Sequence, residues 1–159
     1  FSAKDARVVR EIPKNMKLAR KKFKISRIVA ENGDWKARVF RIYGALSFIE
    51  PTSKHPHAYF AAYQGREMVG HSIILYSAGR WILDGLRVKP KHREQGIGKA
   101  LTGARIRYAV SRGAEEIWYC CADDNLLSTC CHTRFGFRKV RPASKRESPG
   151  PSHWYKLKI

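Results

Sequence analysis

The sequence predicts one α/β domain of the mixed α+β kind, a largely antiparallel sheet with helices packed on it. Three observations lead there. The apolar residues recur with period two, then with helical spacing, then with period two again, so strands and helices alternate along the chain. Three strand-like runs follow one another between Ala58 and Val88 with only short turns between them, a pattern of antiparallel neighbours. The chain has 159 residues, 43% hydrophobic and 11% aromatic, enough for one core, whereas two cores would each fall near the marginal size.

Residues 1–22 read as a basic extension and residues 23–159 as the domain proper. Ten Lys and Arg stand against Asp5 and Glu11 in residues 1–27. That density suits a phosphate-binding arm; it equally suits a solvated face with Val8, Val9, Ile12, Met16 and Leu18 turned inward. Pro13 divides the segment. Phe23, Ile25 and Ile28, interleaved with Lys24, Ser26 and Arg27, predict a first strand. Asn32-Gly33-Asp34 supplies turn and cap chemistry, and Val39, Phe40, Tyr43 and Leu46 recur at helical spacing, so a helix follows. The stretch from Pro51 to Pro56 interrupts it as a loop.

Tyr59–Tyr63 and Met68–Ser77 flank a turn at Gln64-Gly65-Arg66-Glu67 and form a hairpin. Gly79-Arg80 turns the chain into Trp81–Val88, which Lys89-Pro90 ends. Gly98 to Arg112 is helical, with Ile97, Leu101, Ala104 and Tyr108 on one stripe, Lys99, Arg105 and Arg112 off it, and Gly113 as the stop. Ile117–Ala122 is a strand. Asp123-Asp124-Asn125 caps a short helix running to about Arg134, Gly136 ends it, and Phe137–Val140 extends again. Arg141 to Ser152, with Pro142, Pro149, Gly150 and Pro151, is expected to be a mobile basic loop before the last strand, His153–Ile159.

With 32 Lys and Arg against 13 Asp and Glu, the formal charge is +19. Such a balance favours anionic partners: nucleic acid, the ribosome, an acidic surface or a phosphorylated cofactor. No apolar run approaches the roughly 20 residues of a membrane helix, and the N-terminus lacks a secretion pattern, so a soluble, cytoplasmic chain without a membrane partner is expected. The four cysteines lie in adjacent pairs, Cys120-Cys121 and Cys130-Cys131. That spacing fits neither a disulfide framework nor a zinc site, and no metal is expected.

The most informative run is Val88-Lys89-Pro90-Lys91-His92-Arg93-Glu94-Gln95-Gly96-Ile97-Gly98-Lys99-Ala100-Leu101. It reads strand, tight loop, helix. A glycine-bearing loop that opens a helix leaves backbone N–H groups unpaired at the positive end of the helix dipole, which makes a seat for a pyrophosphate. Gly96 and Gly98 let the main chain approach the anion, and Arg93 and Lys99 add charge. Two rival glycine motifs fail. A Walker loop needs Gly where Arg93 stands and Ser or Thr where Ala100 stands; the dinucleotide fingerprint wants Gly or Ala where Leu101 stands.

Arg93-x-x-Gly96-x-Gly98, preceded by Leu86-x-Val88-x-Pro90 and followed by Leu101, resembles the acetyl-CoA motif of the GNAT N-acetyltransferases. Gly113-Ala114-x-x-Ile117, Asn125 at a helix start, and Arg134-Phe135-Gly136-Phe137 are similar to that family's second conserved block. The resemblance runs from about Phe23 to Ile159. It implies a mixed sheet that splays at the fourth strand, helices on both faces, and acetyl-CoA as co-substrate in the split. By the same resemblance, main-chain groups of Leu86, Arg87 and Val88 pair with the pantetheine arm. The amides of Arg93, Glu94, Gln95, Gly96, Ile97, Gly98 and Lys99 hold the pyrophosphate, and Asn125 bonds near the pantetheine while also serving as a helix cap.

Acyl transfer needs a neutral amine, a polarised thioester carbonyl and a proton for the leaving thiolate. Asp84 is the candidate proton acceptor, read by strand alternation onto the face of Leu86 and Val88; a surface carboxylate paired with an arginine is the plainer reading. The family's general acid is a tyrosine four residues before the Gly-Phe, and His132 stands there. A neutral imidazole can donate one N–H, so His132 is a candidate acid. Alternatively it caps helix carbonyls while Tyr119 or water supplies the proton. An acyl-cysteine on Cys130 or Cys131 is conceivable, though burial of these thiols is the expectation.

The reaction so implied is direct attack of a primary amine on acetyl-CoA in a ternary complex, by a monomer or a homodimer. Arg134, Arg138, Lys139, Arg141, Lys145 and Arg146 repel basic acceptors and suit an unknown amine borne on an anionic molecule, with RNA or the ribosome as a possible contact. The alternative is a catalytically inactive CoA-binding module that binds nucleic acid through its basic segments.

Overall fold

Strand alternation and one break in it position everything that follows. The computed structural model describes residues 22–28 and 57–159. Its strands are β1 (Lys24–Ile28), β2 (His57–Gln64), β3 (Glu67–Ser77), β4 (Arg80–Val88), β5 (Glu116–Ala122), β6 (Arg138–Pro142) and β7 (Ser152–Lys158). They form one sheet in the order β1-β2-β3-β4-β5-β7-β6. Two helices, α1 (Ile97–Ser111) and α2 (Leu126–Thr133), complete the described elements. The basic extension of residues 1–21, the helix expected after Asn32-Gly33-Asp34 and the loop at Pro51 lie outside the described residues. No described helix is long and apolar enough to cross a bilayer.

Neighbouring strands are antiparallel except β4 and β5, which run parallel because α1 carries the chain across between them. Their pairing is brief: Trp81, Ile82 and Leu83 face Ile117, Trp118 and Tyr119, and then the ladder stops. Beyond Leu83 the β4–β5 ladder is not continued, so the sheet splays there. β5 itself remains paired with β7 as far as Ala122.

The core lies between the sheet and the two helices. Leu101 and Ile97 of α1 are fully buried against Val69, Ile74 and Leu83, and Tyr119, Phe137 and Tyr155 continue that layer under α2. A smaller cluster of Tyr59, Ala61 and Met68, with Ile73, occupies the opposite face.

Two expectations need correction. The register of β3 and β4 breaks between the pairs His71↔Arg87 and Ile73↔Asp84, so Gly85 and Leu86 together oppose Ser72. This is a β-bulge, and its first residue, Gly85, has φ 53°, a left-handed conformation that glycine adopts without a Cβ clash. The extra residue reverses the alternation. Leu83, Leu86 and Val88 all pack with the α1 core, while Asp84 shares the opposite face with its partner Ile73. Asp84 is therefore not on the face of Leu86 and Val88. The second correction is Arg105, expected off the apolar stripe: it is 0% exposed and lies against the sheet.

Candidate active site

The segment after β4 folds as a short 3-10 turn, Pro90–His92, and then curls through Glu94 (φ 61°) and Gly96 (φ 83°) into α1. Gly96 is the N-cap, and the first helical bond, Ala100 N–H to Gly96 O, is 3.0 Å long. The amides of Ile97, Gly98 and Lys99 thus have no acceptor within the helix, and the helix dipole adds partial positive charge where they converge. Arg93, Glu94 and Lys99 are exposed, Gln95 is half-buried, and Arg93 Nε donates back to Val88 O at 3.3 Å.

The loop is held from the β2–β3 hairpin by side chains that the sequence did not single out. Gln64 Nε2 donates to Gln95 Oε1 at 2.8 Å, Gln64 Oε1 accepts from His92 Nδ1 at 2.9 Å, and Lys89 pairs with Glu67 at 2.8 Å. Partners some 20 to 30 residues apart leave no local signal; only the folded hairpin brings them to the loop.

Loop, splayed strand and α2 meet at one cleft. A Cβ built on Gly98 would stand 3.9 Å from both Leu86 Cδ2 of β4 and Cys131 Sγ of α2. Leu86 and Val88 are half-buried along its wall and Arg87 is exposed. Asn125 caps α2 by accepting from Ser128 N–H at 3.1 Å through Oδ1, which leaves its carboxamide NH2 as a donor. The residues fit coenzyme A on the structure's own terms: helix-start amides and cations for a diphosphate, and a strand that runs on beyond its ladder with β5 for an extended amide-bearing arm.

On the other face of the split, a cavity of about 310 Å³ is lined by Asp84, Cys120, Glu147, Ser148, Ser152 and Trp154, among others. Asp84 is exposed, and its Oδ1 accepts from Gly85 N–H at 2.7 Å. The segment expected to be a mobile loop is a tethered wall of this cavity. Arg141 makes a two-point pair with Glu147, at 2.7 and 2.9 Å, and Ser144 N–H donates to Glu147 at 2.8 Å. These bonds hold the Glu147 carboxyl below the usual carboxylate range. Arg141 is therefore spent locally, whereas Arg138, Lys145 and Arg146 are exposed.

His132 is 3% exposed and stacks on Tyr119, ring centroids 4.1 Å apart. Its Nδ1 lies 2.7 Å from Ser128 O, a carbonyl that only accepts, so Nδ1 carries the proton. Burial, helped by the nearby Arg105 charge and opposed by the Ser128 bond, depresses its pKa to about 4. At neutral pH the ring is uncharged, and its second nitrogen, Nε2, is a buried lone pair without a partner among the described residues. A lone pair cannot protonate a thiolate. This tautomer weighs against the acid role expected of His132.

The Tyr119 hydroxyl is likewise buried and has no partner of hydrogen-bonding geometry among the described residues; burial foremost raises its pKa, with the neighbouring Thr129 hydroxyl opposing, so it stays protonated. His132→Phe, which keeps an aromatic ring on Tyr119, is expected to leave kcat within about threefold, whereas Tyr119→Phe is expected to lower it tenfold or more. Steady-state kinetics of both variants checks the pair. A loss above about thirtyfold in His132→Phe would restore the histidine as the acid.

Of the cysteines, Cys121 is buried, Cys120 and Cys131 are half-buried, and Cys130 is exposed, contrary to the burial expected of it. Burial pushes the Cys120 thiol up. Among the described residues no three His, Cys, Asp or Glu side chains converge as a metal site.

A parallel pair of strands that parts beyond a short ladder, with a helix N-terminus beside the gap, sits in a chain whose fold is that of the acyl-CoA N-acyltransferases. The acetyltransferase (GNAT) family matches over residues 23–137. The chain belongs to that family. Its backbone superposes on the ribosomal-protein-S18-alanine N-acetyltransferase of Escherichia coli with a TM-score of 0.69, at 18% identity, covering 87% of this chain and 94% of that one. The PaiA N-acetyltransferase of Thermoplasma acidophilum, solved in complex with coenzyme A, gives a TM-score of 0.57 at 17% identity over 65% of this chain and 61% of that one. By sequence, a 58-residue segment is 41% identical to the acetyl transferase GW6a of Oryza sativa subsp. japonica. The match covers 36% of this chain and only 14% of that protein's length.

Proposed function

We propose that the chain moves an acetyl group from acetyl-CoA to a primary amine by direct attack in a ternary complex. The observation that carries this reading is the meeting of two features at the splay beyond the β4–β5 ladder: β4 itself, and the amides at 97–99 that have no acceptor within the helix. Acetyl-CoA supplies the activated thioester. The amides from Glu94 to Lys99 hold its diphosphate with the Arg93 side chain beside them, the Arg93 amide being engaged by Pro90 O at 3.3 Å, and Leu86, Arg87 and Val88 pair with the pantetheine along β4. Asn125 donates from the end of α2. The amine enters from the opposite face, through the cavity beside Asp84, whose carboxylate takes the proton that nucleophilic attack releases. The Tyr119 hydroxyl gives a proton to the departing thiolate.

The acceptor is an amine borne on an anionic body. Asp84 meets the amine itself, while exposed Arg138, Lys145 and Arg146 favour a negatively charged carrier around it. The ribosomal-protein-S18-alanine N-acetyltransferase among the structural relatives makes a terminal alanine one acceptor to try. The test is thiol release from acetyl-CoA with an alanine-ended peptide, an acidic peptide, an aminoacyl-tRNA and spermine. Turnover with the anionic carriers and little with spermine is expected. Coenzyme A bound without thiol release from any of them would leave the inactive, nucleic-acid-binding module.

A further inference from the structure

Arg105 is fully buried, and apart from the effect of its charge on His132 it has no role in the site described above. Its Nη1 donates to the carbonyls of Ile73 and Asp84, each at 3.1 Å, and its Nη2 donates to Thr102 Oγ1 at 3.0 Å. Ile73 and Asp84 are the last regular pair of β3 and β4 before the register breaks. A bulge interrupts the ladder and turns carbonyls away from their usual partners, and the two N–H bonds of Nη1 serve two of them while the planar guanidinium is held in place through Nη2.

The carbonyl of Asp84 and the N–H of Gly85 are the two ends of one planar peptide unit. The carbonyl end accepts from Arg105; the N–H end donates to Asp84 Oδ1 at 2.7 Å. One rigid plane therefore links the buried guanidinium to the carboxylate at the mouth of the acceptor cavity. Gly85, at φ 53°, lets the chain turn there without strain. Polarisation of the peptide by the cation also strengthens its N–H as a donor to the carboxylate.

We infer that Arg105 is a positioning residue: by gripping the Asp84–Gly85 peptide from inside the core, it fixes where the Asp84 carboxylate stands in the split. This rests on the reading of Asp84 as the proton acceptor. A displacement of about 1 Å in a reacting group costs on the order of a hundredfold in rate, so the expected effect is large although Arg105 touches no substrate.

A double-mutant cycle on kcat, with the amine that turns over fastest, separates positioning from mere support of the fold. Arg105→Met is expected to lower kcat about 30- to 100-fold while the KM for acetyl-CoA stays within about threefold. In the Asp84→Asn background the same change is expected to cost less than about threefold further, because the group it positions is gone. Arg105→Lys is expected to recover at least about tenfold of the loss. An equal loss in both backgrounds overturns the inference while leaving Asp84 as the base; wild-type kcat in Asp84→Asn overturns both.

Where Arg105→Met does not fold, Thr102→Val removes the acceptor of Nη2 and is expected to lower kcat several-fold, again only when Asp84 is present. A crystal structure of Arg105→Met, or of Thr102→Val in its place, reads the inference without turnover. A rotated Asp84–Gly85 peptide with a lengthened Oδ1 to N contact supports it, and an unmoved peptide overturns it.

Discussion

Gly98→Glu is expected to abolish binding of coenzyme A, raising Kd by at least about a hundredfold, while the chain stays folded. Gly98 is half-buried in the first turn of α1, and a Cβ there would find Leu86 Cδ2 and Cys131 Sγ at 3.9 Å, ordinary contact distance. The backbone is helical, so no left-handed conformation is lost, and glycine to a better helix former even favours α1. The damage falls on the ligand. A carboxylate on the second residue of the helix faces the same free amides that a diphosphate would use, adds like charge beside it, and fills the cleft between loop and β4. Thermal unfolding with coenzyme A at about 100 times the wild-type Kd checks this. The wild type should gain roughly 2.7 kcal/mol and the variant essentially nothing, with the ligand-free variant close to wild type. Gly98→Ala is the control, since its methyl fits the space, and it should keep most of the affinity.

Asp84→Asn is expected to reduce kcat by about 10²- to 10⁴-fold, with coenzyme A affinity within about threefold of wild type. The carboxamide keeps the size and an oxygen that can accept from Gly85 N–H, so the bulge that holds Asp84 should survive. What it loses is the capacity to take a proton. The face matters: the bulge turns Asp84 away from Leu86, Val88 and the diphosphate loop, so its removal should leave the cofactor half of the site untouched. Isothermal titration for the ligand and single-turnover kinetics for the chemical step separate the two halves. Turnover within about threefold of wild type would return Asp84 to the surface carboxylates.

The parts of this site that are local in sequence were legible before the fold. Alternation gave the β2–β3–β4 run, and Gly96 and Gly98 marked the start of α1 to within a residue, because turn and cap chemistry acts over a few neighbours. The Asn125 cap was visible for the same reason. The bulge was not. Gly85 is its only trace in the chain, and a lone glycine in a strand does not say which way the alternation will slip.

Arg105 was misread because a helix wheel places it beside the stripe, and nothing in a linear sequence reports that two carbonyls 21 and 32 residues away await a donor. The role of His132 is hidden for a subtler reason. Its position in the motif was legible, but its function turns on which ring nitrogen holds the proton, and the carbonyl of Ser128 one helical turn earlier decides that. The tether of Glu147 to Arg141 also escaped, since the acid lies just beyond the basic run that drew attention.

The central claim is that main-chain amides at the start of α1 grip a diphosphate. Amide NMR shifts of Gln95 to Lys99 during titration with coenzyme A, with pantetheine as the ligand that lacks the diphosphate, test it most directly. The account predicts large shifts of the Gly96, Ile97, Gly98 and Lys99 amides with coenzyme A and small ones with pantetheine. Binding of coenzyme A that leaves those four signals in place would contradict it.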